Sequence, residues 1–141
     1  MDVGEQLAIE LGRVHRQWRK RLDERLKETG LTQARWLVLL HLSRTGPISQ
    51  RDLAELLGVE GPTLVRVLDR LEQQGLVERH ASGEDRRVKR VHLADAARPV
   101  LAEIASIAAA LRRELLANLA DEELRTAWKV LKDIGDRLES V

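Results

Sequence analysis

Arg66 stands on the polar side of a stretch whose leucines repeat at helical spacing. It lies in the stretch 61–74, where apolar residues at helical spacing predict a helix with one buried face. Gly61, Pro62 and Thr63 let the backbone of this helix approach a ligand closely at its start. Its polar side carries Thr63, Arg66, Asp69 and Arg70. A B-DNA major groove admits one α-helix, and arginine is the commonest reader of guanine edges there. The pattern predicts a recognition helix, although an ordinary surface helix with a solvated arginine face would look the same.

A second candidate site is the polar run 82–87 between two predicted strands. The flanking segments 76–81 and 88–93 both alternate apolar with polar residues, the period of a strand with one buried face. Arg86 and Arg87 stand near the tip of this hairpin, where an arginine can enter a narrow minor groove. Asp85 repels phosphate, so we assign it to holding a neighbouring arginine by a charge-assisted hydrogen bond. The alternative is a solvated charged turn.

A short helix before residue 61 completes the arrangement that would position these arginines. Ser49 is a good N-cap and Asp52 places negative charge in the first turn. Leucines then recur at helical spacing until Gly58 supplies a stop; they are Leu53, Leu56 and Leu57. Two short helices followed by a charged hairpin (about 76–93) predict a winged helix-turn-helix. We expect the segment at Ile48 to add a third strand to the hairpin.

The stretch GVEGPTLVRVLDRLEQQGLVERHASGEDRRVKRVHLAD resembles the DNA-binding core of the MarR family of bacterial regulators. Its most diagnostic part is Asp85-Arg86-Arg87. The upstream block QWRKRLDERLKETGLTQARWLVLLHL resembles the SlyA branch of that family in particular. The similarity runs from about Val14 to the end of the sequence. It implies a homodimeric transcription regulator that binds palindromic, A·T-rich double-stranded DNA.

The resemblance also assigns roles to single residues. Pro62, Thr63 and Arg66 match the front of the family's recognition helix, and Arg86 matches the arginine of the wing that enters the minor groove. Gly61 departs from the polar residue expected in close relatives, so the resemblance predicts DNA binding but not the target sequence.

Long helices at both ends of the chain are predicted to form a dimer. One helix is expected over residues 3–27; a densely apolar helix then follows, capped by Thr32 and containing Trp36 as part of a buried spine. Asp95 opens a helix to about Leu119, and Asp121 opens the last one. Their apolar faces are wider than a winged-helix core can cover, so we expect burial against a second copy. The predicted fold is mainly α (α+β), one domain of residues 1–141 with dimerisation helices 1–30 and 95–141 around a winged helix-turn-helix at 31–94.

Composition excludes several classes of function. The chain has 141 residues and a net charge of +1. It contains no cysteine, so disulfides, thiolate chemistry and Cys-based zinc sites are excluded. Its four histidines form no metalloprotease motif, and no phosphate-binding glycine loop or nucleophile elbow occurs, so we expect neither an enzyme nor a cofactor. His80 and His92 can face each other across the hairpin but lack further metal ligands. With no signal peptide or long apolar run, we expect a cytoplasmic protein.

The tryptophans raise the question of a small-molecule effector. Trp18 and Trp36 lie near the predicted junction of the dimerisation and DNA-binding parts, and they are either the largest core residues or the walls of a pocket. The family resemblance implies that an aromatic carboxylate such as salicylate weakens DNA binding. Possible carboxylate partners are Arg13, His15 and Arg66. A different class of function also stays open, a helical dimer that binds another protein and whose wing is merely a solvated hairpin.

Overall fold

The computed structural model describes residues 1–83, 85 and 87–140. Glu84, Arg86 and Val141 lie outside the described residues. The role predicted for Arg86 therefore stays a prediction from the sequence. The elements in chain order are α1 (Val3–Leu26), a 3-10 turn (Lys27–Thr29), α2 (Gln33–Thr45), β1 (Ile48–Ser49), α3 (Gln50–Leu57), α4 (Gly61–Gln73), β2 (Val77–Ala81), β3 (Lys89–Leu93), α5 (Ala97–Leu116) and α6 (Asp121–Glu139).

These elements confirm the predicted fold class, a mainly helical chain with a winged helix-turn-helix. The chain divides into two compact units, residues 1–108 and residues 109–141, with the boundary inside α5. The first unit contains the helix-turn-helix and the wing, and the second consists of the end of α5 and α6. Within the described part of the chain, none of the helices has the length and apolarity needed to cross a membrane.

Helix α2 forms the centre of the hydrophobic core of the first unit, as its apolar composition predicts. Trp36, Leu39 and Leu42 of α2 are almost fully buried. They belong to one cluster with buried leucines of α3 and α4, which are Leu53, Leu64, Leu68 and Leu71. Each fully buried leucine contributes about 1.5–3 kcal/mol of transfer free energy, so this cluster fixes α3 and α4 against α2.

The wing is a three-stranded antiparallel sheet in the order β1-β3-β2. Ile48 pairs with Val91 and thereby confirms the predicted third strand. Across the hairpin, Val77 pairs with Leu93 and Arg79 pairs with Val91. Val77 and Val91 are buried, so one face of the sheet packs on the core while the other is exposed to solvent.

Local details differ from the sequence prediction at three places. Thr32 occupies the N-cap position of α2, but its hydroxyl accepts a hydrogen bond from Nε of Arg35 (3.2 Å) instead of capping a backbone N–H. Leu56 does not join the buried stripe of α3 and is 49% exposed, because the core contact of α3 is made by Leu53 and its neighbour Ala54. Helix α5 is shorter than expected, since turns close at Asp95 (Arg98 N to Asp95 O, 3.1 Å) and at Leu119 (Leu119 N to Leu116 O, 3.1 Å).

Helix ends elsewhere follow the predicted capping. The Ser49 hydroxyl accepts a hydrogen bond from the backbone N–H of Asp52 (3.1 Å) at the start of α3. Gly58 ends that helix with a left-handed conformation (φ 66°), and Gly75 adopts φ 74° just after α4. These two glycines set the directions in which the chain enters and leaves the recognition helix.

Candidate nucleic-acid interface

Helix α4 has the two faces that a recognition helix requires. Leu64, Leu68 and Leu71 form its buried back. The exposed side carries the predicted DNA-binding residues of this helix, which are Pro62, Thr63, Arg66 and Arg70. The observed helix, Gly61–Gln73, agrees to within one residue with the predicted range 61–74. Because the leucine back is buried in the core, the polar front faces solvent.

The first residue of α4 leaves space in front of the helix. A Cβ at Gly61 would meet no heavy atom within 4 Å among the described residues. Gly61 borders an open groove of about 610 Å³ between α3 and α4, which Arg51 of α3 and Val65 of α4 also line. Gly61 is therefore not demanded by packing, and a larger polar residue would fit at this position.

The hairpin tip carries the second group of predicted residues. The Asp85 carboxylate accepts a hydrogen bond from the backbone N–H of Arg87 at 3.0 Å, and Nε of Arg87 lies 4.0 Å from the same carboxylate oxygen. The Arg87 side chain is otherwise exposed. Arg86 between them lies outside the described residues.

An ionic cluster centred on Arg79 was missed by the sequence analysis. Arg79 lies on β2 on the same sheet face as the buried Val77, and its guanidinium reaches α4. It donates to Asp69 at 2.6 Å and to Glu72 at 3.1 Å, and the backbone N–H of Arg79 also donates to Glu72 at 3.2 Å. Gln50 of α3 accepts a further hydrogen bond at 3.4 Å. One side chain thus connects the wing to both helices of the helix-turn-helix.

The pKa values reflect this pairing. The hydrogen bond from Arg79 is the main cause that lowers the pKa of the Glu72 carboxyl below its ordinary value, against a smaller opposing effect of desolvation. The hydrogen bond to Glu72 in turn raises the pKa of Arg79, and desolvation again opposes. Both groups are therefore charged at neutral pH.

The outer face of the wing carries the two histidines that the sequence placed on facing strands. The rings of His80 and His92 contact each other edge to face, with 4.9 Å between their centroids. Nε2 of His80 lies 3.1 Å from a carboxylate oxygen of Glu78. Among the residues that the structure describes, no cluster of three or more potential ligands suits a metal ion.

A separate cavity of about 310 Å³ lies between α1 and α2. It brings together three of the residues predicted to bind an effector, His15, Trp18 and Trp36. Neither Arg13 nor Arg66 is among the described residues that line it; Arg13 pairs instead with Glu10, one turn earlier on α1. The remaining lining residues include three basic side chains that the sequence analysis did not select, namely Arg19, His41 and Arg44.

Trp36, one of the residues that line this cavity, is also part of the hydrophobic core. Trp36 is 1% exposed and its indole N–H donates to Asp23 at 3.4 Å, so it belongs to the core as well as to the cavity. The guanidinium of Arg19 lies over the Trp36 ring at 5.4 Å from the centroid. Burial, and then the charges of Arg44 and Arg19, lower the pKa of His41. His41 is therefore neutral at pH 7, and the two arginines supply the positive charge.

Helices α1 and α6 each leave large apolar side chains exposed in the single chain. On α1 these are Val3, Leu7, Ile9 and Val14. On α6, Trp128 is 64% exposed and Leu131 is 46% exposed, and Val130 and Leu138 are exposed as well. Contiguous exposed apolar surface on a folded chain is typical of sites of protein contact.

The chain is similar in sequence and fold to known transcription regulators. The family model described as the MarR family matches residues 29–88. The crystal structure of the transcriptional regulator PA3341 is 46% identical in sequence, covers 96% of this chain and 99% of its own, and superposes with a TM-score of 0.84. A mutant MarR from E. coli complexed with operator DNA is 27% identical over 95% of this chain and 99% of its own, with a TM-score of 0.78. The transcriptional regulator SlyA, 23% identical over 95% of this chain and 94% of its own, shares the fold with a TM-score of 0.80.

Proposed function

This chain belongs to the MarR family of transcription regulators, and we propose that it binds double-stranded DNA sequence-specifically as a homodimer in the bacterial cytoplasm. The observation that carries the proposal is helix α4, whose leucine back is buried and whose Pro62, Thr63 and Arg66 are exposed beside a charged wing. The family consists of DNA-binding proteins without enzymatic activity, which agrees with the expectation that this chain is not an enzyme. The E. coli relative complexed with operator DNA supports the same role.

The exposed residues of α4 divide between base and phosphate recognition. Pro62 and Thr63 at the first turn allow the helix end to enter the major groove. Arg66 follows one turn later and reaches a base edge, where arginine pairs with O6 and N7 of guanine. Arg70, a further turn along, lies where the groove rises to the phosphate backbone. Phosphate contacts set the position of the helix, and the base contact carries the sequence information.

The dimer supplies the symmetry of the site. We propose that the exposed apolar residues of α1 and α6, among them Leu7 and Leu131, are buried against a second copy. A twofold dimer presents two recognition helices about 34 Å apart, one turn of B-DNA, and therefore selects a palindrome.

Selection of bound duplexes from a random pool, followed by sequencing, tests this proposal and identifies the operator sequence in the same experiment. The expected result is one enriched motif with two inverted half-sites whose centres are about 10 base pairs apart. Enrichment of an unsymmetrical motif would contradict binding as a twofold dimer. Absence of any enriched motif would contradict sequence-specific binding.

Arg86→Ala is expected to weaken binding and to remove any preference for A·T-rich flanks. The resemblance places Arg86 in the minor groove, which is narrow and strongly negative in A-tracts. Affinities for the enriched motif with A·T-rich and with G·C-rich flanks measure the effect. The matched control is Arg87→Ala, which removes the same charge from the adjacent position and should lower both affinities equally. Unchanged affinity of the Arg86→Ala protein would contradict the role of the wing.

We further propose that a small aromatic carboxylate such as salicylate binds in the cavity between α1 and α2. About 310 Å³ is near the lower end of small-ligand pockets, which suits a single-ring compound. Trp18 offers a partly exposed aromatic surface, and Arg44 and Arg19 replace Arg13 and Arg66 as the proposed carboxylate partners. Such a ligand releases DNA if it binds better to a dimer whose recognition helices are wrongly spaced for two successive major grooves.

Arg44→Ala is expected to raise the salicylate concentration that half-releases DNA by about tenfold or more, because a charge-assisted hydrogen bond contributes about 1.5–3 kcal/mol. DNA affinity without salicylate should stay unchanged. Fluorescence anisotropy of a labelled duplex during a salicylate titration measures both quantities. Lys20→Ala, on the exposed side of α1 and outside the cavity lining, is the matched control. Equal salicylate sensitivity of the Arg44→Ala and parent proteins would contradict this assignment.

A further inference from the structure

We propose that Arg79 is a positioning residue for DNA binding, which shields the two carboxylates of the recognition helix from the phosphate backbone. The inference rests on the proposed function of α4 and concerns a residue that makes no base contact itself. Asp69 and Glu72 are acidic residues on a helix that must approach a polyanion. Without a counter-charge, each would repel the DNA.

The position of Asp69 makes this repulsion direct. Asp69 follows Pro62 by seven residues and Arg66 by three, so the helical period of 3.6 places all three on one side of α4. The side chains of Asp69 and Glu72 are 49% and 43% exposed, whereas the Arg79 side chain is only 16% exposed. The carboxylates thus face outward with the guanidinium behind them.

The contacts of Arg79 hold this arrangement in one geometry. Its Nη2 donates to both Asp69 and Glu72, at 2.6 Å and 3.1 Å, and its Nε lies 3.4 Å from the second oxygen of Glu72. Glu72 is therefore held by both the guanidinium and the backbone N–H of Arg79. A planar guanidinium with several donors suits such bidentate pairing, which a lysine cannot reproduce.

Stability alone is a weak reason for this cluster. Ion pairs with half-exposed carboxylates contribute little, typically about 0–1 kcal/mol in measured cycles. Their electrostatic effect on a nearby polyanion is larger, because each uncompensated negative charge opposes binding to every phosphate within about 10 Å. The cluster therefore matters more to DNA affinity than to folding.

A rescue experiment separates shielding from other roles of Arg79. Arg79→Gln should lower affinity for the enriched duplex about tenfold or more at low salt, and the loss should shrink as salt screens the repulsion. Adding Asp69→Asn and Glu72→Gln to the Arg79→Gln protein should restore affinity to within about threefold of the parent, because no unpaired carboxylate then remains. A triple variant as weak as Arg79→Gln would overturn the proposal, since it would mean that Arg79 contacts DNA itself or only shapes the wing.

Thermal unfolding monitored by circular dichroism shows whether Arg79→Gln folds. If it does not fold, a second variant tests the proposal. The pair Asp69→Asn and Glu72→Gln with Arg79 retained should bind DNA at least as tightly as the parent; weaker binding by this folded variant would overturn the proposal. Failure of the underlying function looks different. In that case selection from the random pool would enrich no motif, and the parent protein would bind all duplexes with equal affinity.

Discussion

Leu131→Glu is expected to abolish tight binding to a palindromic duplex. Leu131 is 46% exposed on α6, so a carboxylate there leaves the single chain folded but places a charge in the proposed dimer interface. Burying an unpaired charge costs several kcal/mol, enough to dissociate a dimer at micromolar concentration. A monomer engages one half-site only and loses the gain of simultaneous binding, about 10²–10⁴-fold in affinity.

Light scattering and anisotropy together measure this effect. The Leu131→Glu protein should have the mass of a monomer and an affinity for the palindrome close to that for a single half-site. Lys129→Glu is the control, because it also places a carboxylate on α6 but about 160° around the helix from Leu131, and it should leave mass and affinity unchanged. A Leu131→Glu protein that stays dimeric at micromolar concentration would contradict the proposed interface.

Arg66→Ala is expected to give the second-largest loss. Removing a bidentate contact to a guanine costs about 1–3 kcal/mol per contact, and a homodimer loses it in both half-sites. The loss should be specific for sequence, so that the variant no longer distinguishes substitutions at one base pair in each half-site. Anisotropy against the motif and its single-base variants measures this discrimination.

Arg70→Ala is the contrasting variant. It is proposed to remove a phosphate contact only, so it should weaken binding to all sequences alike and reduce the salt slope by about one per contact. If Arg66→Ala kept full discrimination at every base pair, the assignment of Arg66 to base reading would be wrong.

The helix-turn-helix was predictable because its sequence patterns are local. The leucine spacing of α4 and the glycine after it define the helix to within one residue. The alternation of the two wing strands predicts their pairing, and Ile48 adds the third strand. Thr32 was harder to predict, since whether an N-cap hydroxyl bonds the backbone or Arg35 depends on the side-chain conformation.

The Arg79 cluster escaped prediction because its partners lie 7, 10 and 29 residues away along the chain. A usable indication was present in the strand period. Residues 77 and 79 share one sheet face, and Val77 is buried, so an arginine at position 79 has to find acceptors at the edge of the core. Asp69 and Glu72 on the preceding helix were the nearest candidates.

The lining of the effector cavity was only partly predictable. Residues 15, 18, 19 and 22 share one side of α1 at helical spacing, which would have favoured Arg19 over Arg13. Arg44 and His41 enter the cavity from α2, and only the packing of α1 on α2 brings them there. Arg66, by contrast, lies on the exposed side of α4.

The most direct test of sequence-specific DNA binding is fluorescence anisotropy of the purified protein with the enriched palindrome and with a scrambled duplex across a series of salt concentrations. We expect affinity for the palindrome to exceed that for the scramble by at least about 10³-fold, with a strongly negative slope of log affinity against log salt. Equal affinities for the two duplexes would contradict sequence-specific binding. No binding even at low salt would contradict the DNA-binding function and favour a helical dimer that binds another protein.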